Sequence, residues 1–206
     1  MIDVYYAAPS IYARKVLAVL NEKNLDYQIK PLEWGQFPSD AEYLKLNPNG
    51  ETPTIVDDGQ AIYESTAIVE YLNDEYPEPA LLPDDSAARA RARIIVAYCD
   101  LHFYKALIKC FIAKRSGAEI TAEMVEKVAE SIKRLDAYLG TQEFIAGKFS
   151  LADCAVMTGL ATVEALSFTD KVGITPKLRQ YWDRLKRRPS YKGASLFTLT
   201  EAAPVV

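Results

Sequence analysis

Apolar and polar residues are spaced in two ways along this chain. Up to Pro77 short alternating runs interchange with helical spacing, and beyond it only the helical spacing persists. Ile2 to Tyr6 places Ile2 and Val4 around Asp3 and stops at Ala7-Ala8-Pro9, which predicts a strand ending in a loop. Ser10 then stands where a helix N-cap belongs. From Ile11 to Asn24 the apolar positions Tyr12, Val16, Val19 and Leu20 predict an amphipathic helix, with Arg14, Lys15, Glu22 and Lys23 on its other side. Tyr27 and Ile29 predict a second strand closed by Pro31. A loop from Glu33 to Ser39 and a short helix from Asp40 to Leu46 follow.

The stretch Asn47 to Ser65 is the densest in signals. Pro53 opens a short apolar run through Val56, Asp57-Asp58-Gly59 signals a turn, Ala61 to Tyr63 forms a second run, and Glu64-Ser65 is a polar pair. Two strands joined by a turn, then a helix start, are expected. Proline donates no N–H and is confined to edges or first positions of strands, so Thr52 keeps its backbone groups for a peptide-like ligand. The closing helix is expected from Ser65 to about Tyr76, burying Ile68, Val69 and Leu72. Strand, helix, strand, then hairpin and helix is a thioredoxin-like arrangement, because a parallel pair needs a crossover and an antiparallel pair only a turn.

Pro77, Pro79 and Pro83 mark a linker. One long helix is expected from Ser86 to about Arg115, ended by Gly117, and another from Thr121 to Leu139, ended by Gly140. Ser150 is expected to cap the run Cys154 to Leu166, with Asp153 reaching back to its N–H and Phe149 and Cys154 as the accompanying staple. A last helix is expected from near Pro176 to before Pro189. The expected fold class is therefore an α/β thioredoxin-like N-terminal domain (1–77), a linker (78–85) and an all-α C-terminal domain (86–206).

Composition narrows the partners. Half of the 206 residues are apolar, enough for one large core or two modest ones. A net charge of −4 and a pI near 5.2 lack the electrostatic footprint of a nucleic-acid binder, so no nucleic acid is expected. No window approaches about eighteen uninterrupted apolar residues, so no membrane contact is expected and the protein reads as cytoplasmic. Cys99, Cys110 and Cys154 form no CxxC pair, which suits buried structural thiols and no metal site. Arg89, Arg91 and Arg93, spaced by two, spread around a helix as solvated or dimer-interface side chains. Lys186-Arg187-Arg188 sits where positive charge complements a helix C-terminus.

SxxxRKV at Ser10 to Val16, NPxGxxP at Asn47 to Pro53, ESxAI at Glu64 to Ile68, the proline-rich linker and FSLAD at Phe149 to Asp153 come in an ordered set. With it the chain resembles the cytosolic glutathione S-transferase superfamily over nearly its full length. IYARKV, LNPNGETPT and FSLADC are also similar to bacterial stringent starvation protein A, a relative that binds RNA polymerase and generally lacks a serine at the position of Ser10. The resemblance implies a homodimeric glutathione transferase with glutathione as co-substrate and a small electrophile as its other partner. A regulator contacting RNA polymerase is the alternative.

It also implies roles. Pro53 is expected cis, with Thr52, in place of the usual aliphatic residue, bonding the cysteinyl unit through its main chain. Glu64 and Ser65 are expected to bind the γ-glutamyl ammonium and carboxylate, the latter with a helix N-terminal N–H. Ser10 is expected to donate its hydroxyl hydrogen to the glutathione sulfur, with Tyr12 competing for that place and Tyr5 and Tyr6 further candidates. A thiol pKa near 8.5 falls by about two units for roughly 2.7 kcal/mol of thiolate stabilisation. One hydrogen bond to a charged acceptor supplies about 1.5 to 3 kcal/mol and the helix dipole about 0.3 to 1, so no general base is needed. Simple helix capping is the competing role of both Ser10 and Ser65. The family draws the donor for the glycine carboxylate from the loop before the second helix or from just ahead of the cis-proline, and Gln36 is expected to supply it, with Lys45 as fallback. Gly50 and Glu51 occupy positions where some relatives carry His or Lys, which implies a looser hold on this end. The electrophile pocket is expected between the Ala7 to Tyr12 loop and the long helix after the linker, with Tyr98, His102, Phe103 and Tyr104 as candidates. For any single one of the four, core packing is the fate expected first.

Overall fold

A computed structural model of the chain describes residues 1–196; residues 197–206, the end of the expected helical domain, lie outside the described residues. Strands β1 (Ile2–Tyr6), β2 (Tyr27–Pro31), β3 (Thr54–Asp57) and β4 (Gln60–Tyr63) form one sheet in the order β2-β1-β3-β4. β1 pairs parallel with β2 and antiparallel with β3, and β3 pairs antiparallel with β4. The first pair is parallel because helix α1 (Ile11–Glu22) carries the crossover. β3 starts at Thr54, one residue after the expected opening at Pro53, so Thr52 and Pro53 stay in the loop before the sheet. Successive side chains of β1 point to opposite faces. Ile2, Val4 and Tyr6 join the main core with α1 and helix α3 (Ser65–Glu75), and Tyr5 joins a small cluster with Phe37 and Tyr43 of helix α2 (Ala41–Leu46).

The second half is helical throughout: α4 (Ser86–Tyr98), α5 (Tyr104–Ser116), α6 (Ala122–Leu139), α7 (Leu151–Ala165), α8 (Pro176–Leu185) and a short α9 (Tyr191–Ala194) that the apolar spacing did not announce. The single long helix expected from Ser86 is interrupted. Between α4 and α5 the residues Cys99–Phe103 form a π-helical turn, which apolar spacing does not encode because the helical stripe runs through it. α7 is buried on every side and packs against α1, α4, α5, α8 and α9. Its N-terminus is held as expected by Asp153, whose Oδ2 accepts from the Ser150 N–H at 2.9 Å. Phe149 rests edge-on against Phe144 and beneath the Arg188 guanidinium.

The amphipathic reading of α1 is overturned. Arg14, Lys15, Glu22 and Lys23, placed opposite the apolar stripe by spacing, are all buried. α1 lies between α3 on one side and α7 and α9 on the other, so none of these four side chains reaches open solvent and each meets a partner far along the chain. Arg14 donates to the Ala194 carbonyl at 2.8 Å and to Thr162 Oγ1 at 2.7 Å. Glu22 pairs with Arg188 and accepts from the Ser190 N–H. Lys23 donates to the carbonyls of Tyr76 at 2.6 Å and Pro79 at 2.8 Å. α9 approaches α1 closely because Gly193 has no side chain; a Cβ there would lie 2.3 Å from the Leu17 backbone.

Candidate functional site

The β1–α1 loop turns through a cis Ala8–Pro9 bond and delivers Ser10 to the start of α1. Ser10 is nearly buried at 8% exposure, and its Oγ accepts from the Ala13 N–H at 3.3 Å. That bond uses a lone pair, so the hydroxyl hydrogen stays available for donation. The expectation of an N-cap is met, and it leaves the expected donor free as well. Tyr6 donates its hydroxyl to the Leu196 carbonyl at 3.3 Å, and Tyr5 lies against Tyr43 on the far face of the sheet. Tyr12 donates to the Asp100 carbonyl at 3.3 Å, which occupies its hydroxyl hydrogen. Burial and the charges of Asp100 and Glu51 push the Tyr12 phenol up, so it is neutral at pH 7.

The Thr52–Pro53 bond is cis, as the resemblance implied. The loop before it is tied down from below: Asn47 Nδ2 donates to the Glu51 carbonyl at 2.8 Å and to Thr54 Oγ1 at 3.0 Å, and Tyr43 also donates to the Glu51 carbonyl. Thr52 Oγ1 accepts from the Ala7 N–H at 3.2 Å, joining this loop to the one that carries Ser10. Here the hydroxyl that replaces an aliphatic side chain has a definite task. Among the described residues the Thr52 main-chain N–H and C=O make no hydrogen bond.

Glu64 stands at the N-cap position of α3 with φ +66° and makes no capping bond; its Oε1 accepts from Asn49 Nδ2 at 3.3 Å. Ser65 begins α3 at 8% exposure, and among the described residues its hydroxyl has no partner. An uncapped first turn leaves N–H groups and the positive end of the helix dipole open to an anion. Hence Ser65 is not occupied as a cap, which removes the competing role.

The glycine-end candidates differ. Gln36 is exposed, just before the 3-10 turn Phe37–Ser39, and among the described residues its amide has no partner. Lys45 is paired with Glu42 at 2.7 Å on the surface. Gly50 has φ +60°, and a Cβ there would lie 2.9 Å from the Pro38 carbonyl oxygen, so a side chain at this position is excluded.

The four helical-domain candidates split into two pairs, Tyr98 with His102 and Phe103 with Tyr104. Phe103 and Tyr104 are fully buried, the first with its ring where a Gly159 Cβ would be, the second donating to the Ala155 carbonyl at 2.7 Å. They belong to the core, Phe103 closing the π-helical turn and Tyr104 opening α5. Tyr98 packs edge-on against Tyr138 of α6 and stacks on the exposed His102. Of the four, only Tyr104 touches Tyr12, edge-on at 5.5 Å between ring centroids.

Three residues bonded to these loops and side chains carry no signal in the motifs. Trp34 donates its indole N–H to the Ala8 carbonyl at 2.5 Å and stacks edge-on on Phe37, covering the loop ahead of Ser10. Asn49 braces Glu64. Asp100 joins the buried Lys15. For Asp100 a signal existed: it is the one acidic residue between Ile94 and Arg115, and a carboxylate on an apolar helix requires a cation. Among the described residues no group of three or more His, Cys, Asp or Glu is arranged to hold a metal ion, and no helix is long and apolar enough to cross a membrane.

The architecture is that of two-domain proteins in which a thioredoxin-like unit carries a helical domain. Residues 4–80 match the family model for the glutathione S-transferase N-terminal domain, and residues 98–189 match that for the glutathione S-transferase C-terminal domain. The chain is 30% identical to a maleylacetoacetate isomerase of Pseudomonas aeruginosa, covering 92% of each chain. It is 27% identical to a stringent starvation protein A homolog of Pasteurella multocida, covering 88% of this chain and 84% of that one. A glutathione S-transferase from Methylobacillus flagellatus, solved with glutathione bound, superposes with a TM-score of 0.79 at 28% identity over 100% of both chains. The chain belongs to the glutathione S-transferase superfamily.

Proposed function

We propose that the protein is a glutathione transferase that holds the glutathione thiol as thiolate through Ser10 and directs it at a small electrophile. The observation that carries this reading is a set of open hydrogen-bonding groups in the loops of the thioredoxin-like unit, where Thr52 Oγ1 ties its loop to the one before Ser10: the Ser10 hydroxyl, the Thr52 main chain and the uncapped first turn of α3. Their order fits a γ-glutamyl-cysteinyl peptide. In this reading Glu64 takes the ammonium, Ser65 and the α3 N–H groups take the γ-glutamyl carboxylate, and the Thr52 main chain takes the cysteinyl unit beside the cis Pro53. Ser10 donates to the sulfur, and the thiol proton leaves to solvent. Gln36 takes the glycine carboxylate, since Lys45 is paired and position 50 has no side chain. Tyr12, its hydroxyl occupied, serves as wall to the electrophile, backed by Tyr104.

The same thiolate serves isomerisation, and the relative named as a maleylacetoacetate isomerase favours that reaction as a second use of the site. A cytoplasmic homodimer completes the proposal: Ala87, Ala90, Ile94 and Ala97 of α4 and Leu101 of the π-helical turn form an exposed apolar stripe beside a groove of about 370 Å³ against α3, suited to a second copy of the chain. The rival reading, a regulator that acts by contact with RNA polymerase, is favoured by the stringent starvation protein A relative. Retention on a glutathione resin together with thiol conjugation separates the two. Retention with turnover supports the transferase; no retention and no turnover supports the regulator.

A further inference from the structure

Lys15 is 1% exposed, on the helix whose first turn carries Ser10. Its ammonium donates to Asp100 Oδ1 at 2.8 Å, to Asp100 Oδ2 at 2.7 Å and to Thr66 Oγ1 at 2.9 Å. Thr66 in turn donates to Asp100 Oδ2 at 2.6 Å. Asp100 lies in the π-helical turn Cys99–Phe103, and its main-chain carbonyl is the acceptor for Tyr12. One residue of the helical domain thus ties together α1, α3 and the π-helical turn. Burial pushes the Lys15 ammonium down, and the Asp100 carboxylate opposes that fall.

Stability alone is a poor reason for this arrangement. Desolvation of a buried ion pair cancels much of its attraction, and apolar residues of the same size do as well in a core. Its location is more telling. Thr66 is the second residue of α3, next to Ser65, in a first turn that has no side-chain cap. The hydroxyl of Thr66, charge-assisted by Asp100 and Lys15, anchors that turn to α1 and the π-helical turn through its side chain and leaves its first N–H groups without a capping partner.

We propose that Lys15, Asp100 and Thr66 are positioning residues that aim the first turn of α3, and with it Glu64 and Ser65, at the ammonium and carboxylate of a γ-glutamyl group. This rests on the glutathione reading above. Because the trio acts at the head of the peptide and not at the sulfur, its loss should appear in affinity and leave the activated thiol unchanged.

The test compares Thr66→Val, which keeps shape and loses the hydroxyl, with Thr66→Ser, which keeps it. Glutathione affinity is read by calorimetry, and kcat, KM and the pH dependence of conjugation are read in parallel. Thr66→Val is expected to raise the glutathione Kd and KM about tenfold, the equivalent of one charge-assisted hydrogen bond, with kcat within about twofold and an unchanged pH profile. Thr66→Ser should restore the wild-type constants. Asp100→Asn should act in the same direction as Thr66→Val, and adding it to Thr66→Val should cost little more, since both break one unit. A folded Thr66→Val protein that binds glutathione as the wild type does overturns the inference alone. A wild-type protein that binds no glutathione overturns the glutathione reading, and this inference with it.

Discussion

Ser150 and Ser65 both stand at the start of a helix, and their surroundings are opposites. Around Ser150 every polar group is used: Asp153 accepts from the Ser150 N–H and hydroxyl on one oxygen, and from the Ile145 N–H at 3.0 Å and the Tyr181 hydroxyl at 2.7 Å on the other. Around Ser65 the hydroxyl, the Thr52 main chain nearby and the first N–H groups of α3 have no partner among the described residues. A buried polar group left open costs free energy unless a ligand completes it. The saturated cluster serves the fold, and the open one is the cluster that the proposed function uses for binding. Substitutions should separate the two, moving stability at the first and affinity at the second.

The largest effect is expected at Asp153. Its replacement by Ala strands the Ile145 and Ser150 N–H groups and the Tyr181 hydroxyl, at about 1 to 3 kcal/mol each. A loss of about 4 kcal/mol or more should follow, read as a thermal midpoint lower by roughly 10 °C. Glutathione affinity of the folded fraction should not change. A loss of affinity with an unaltered midpoint would erase the distinction between the two clusters.

A pH effect of somewhat smaller size comes from the same residue. Burial outweighs the donors and pushes the Asp153 carboxyl up to about 6 from its ordinary 3.8. The folded protein then holds this proton more tightly than the unfolded chain does. The contribution is fully present below about 4 and is lost as pH rises through 6, a change on the order of 3 kcal/mol. Asp153→Asn should flatten that slope in thermal melts between pH 4 and 7, and an unaltered slope would remove Asp153 as its source.

At the open cluster, Glu64→Ala should weaken glutathione binding about tenfold, as befits one lost charge-assisted bond, with the thermal midpoint hardly moved. Titration calorimetry beside a melt reads both numbers. Normal affinity in this variant would take the γ-glutamyl group away from the start of α3.

The two regions also differ in how plainly the chain announced them. Ser150, Asp153, the hairpin after Pro53 and the start of α3 are set by residues within a few positions of one another, so caps, turns and alternation reveal them. The cis bond at Pro53 came from the family resemblance, not from spacing. The burial of Lys15, Arg14 and Glu22 on the polar side of α1 was not announced, because their partners, Asp100, Ala194 and Arg188, lie 85 to 180 positions away. Helical periodicity describes which residues share a face and is silent on whether another helix covers that face. Phe103 and Tyr104 take the core packing expected of any single pocket candidate, and the π-helical turn just before Tyr104 is the part that apolar spacing does not reveal.

Thiolate formation by bound glutathione tests the central claim most directly. Ultraviolet absorbance of the thiolate, followed against pH on wild-type protein and on Ser10→Ala, reports the thiol pKa at the site. With Ser10 donating to sulfur, the wild type should show a pKa about two units below the free value near 8.5, and Ser10→Ala should return it most of the way while still binding glutathione, with turnover at neutral pH down more than about tenfold. A titration curve that is the same in both proteins would contradict the account.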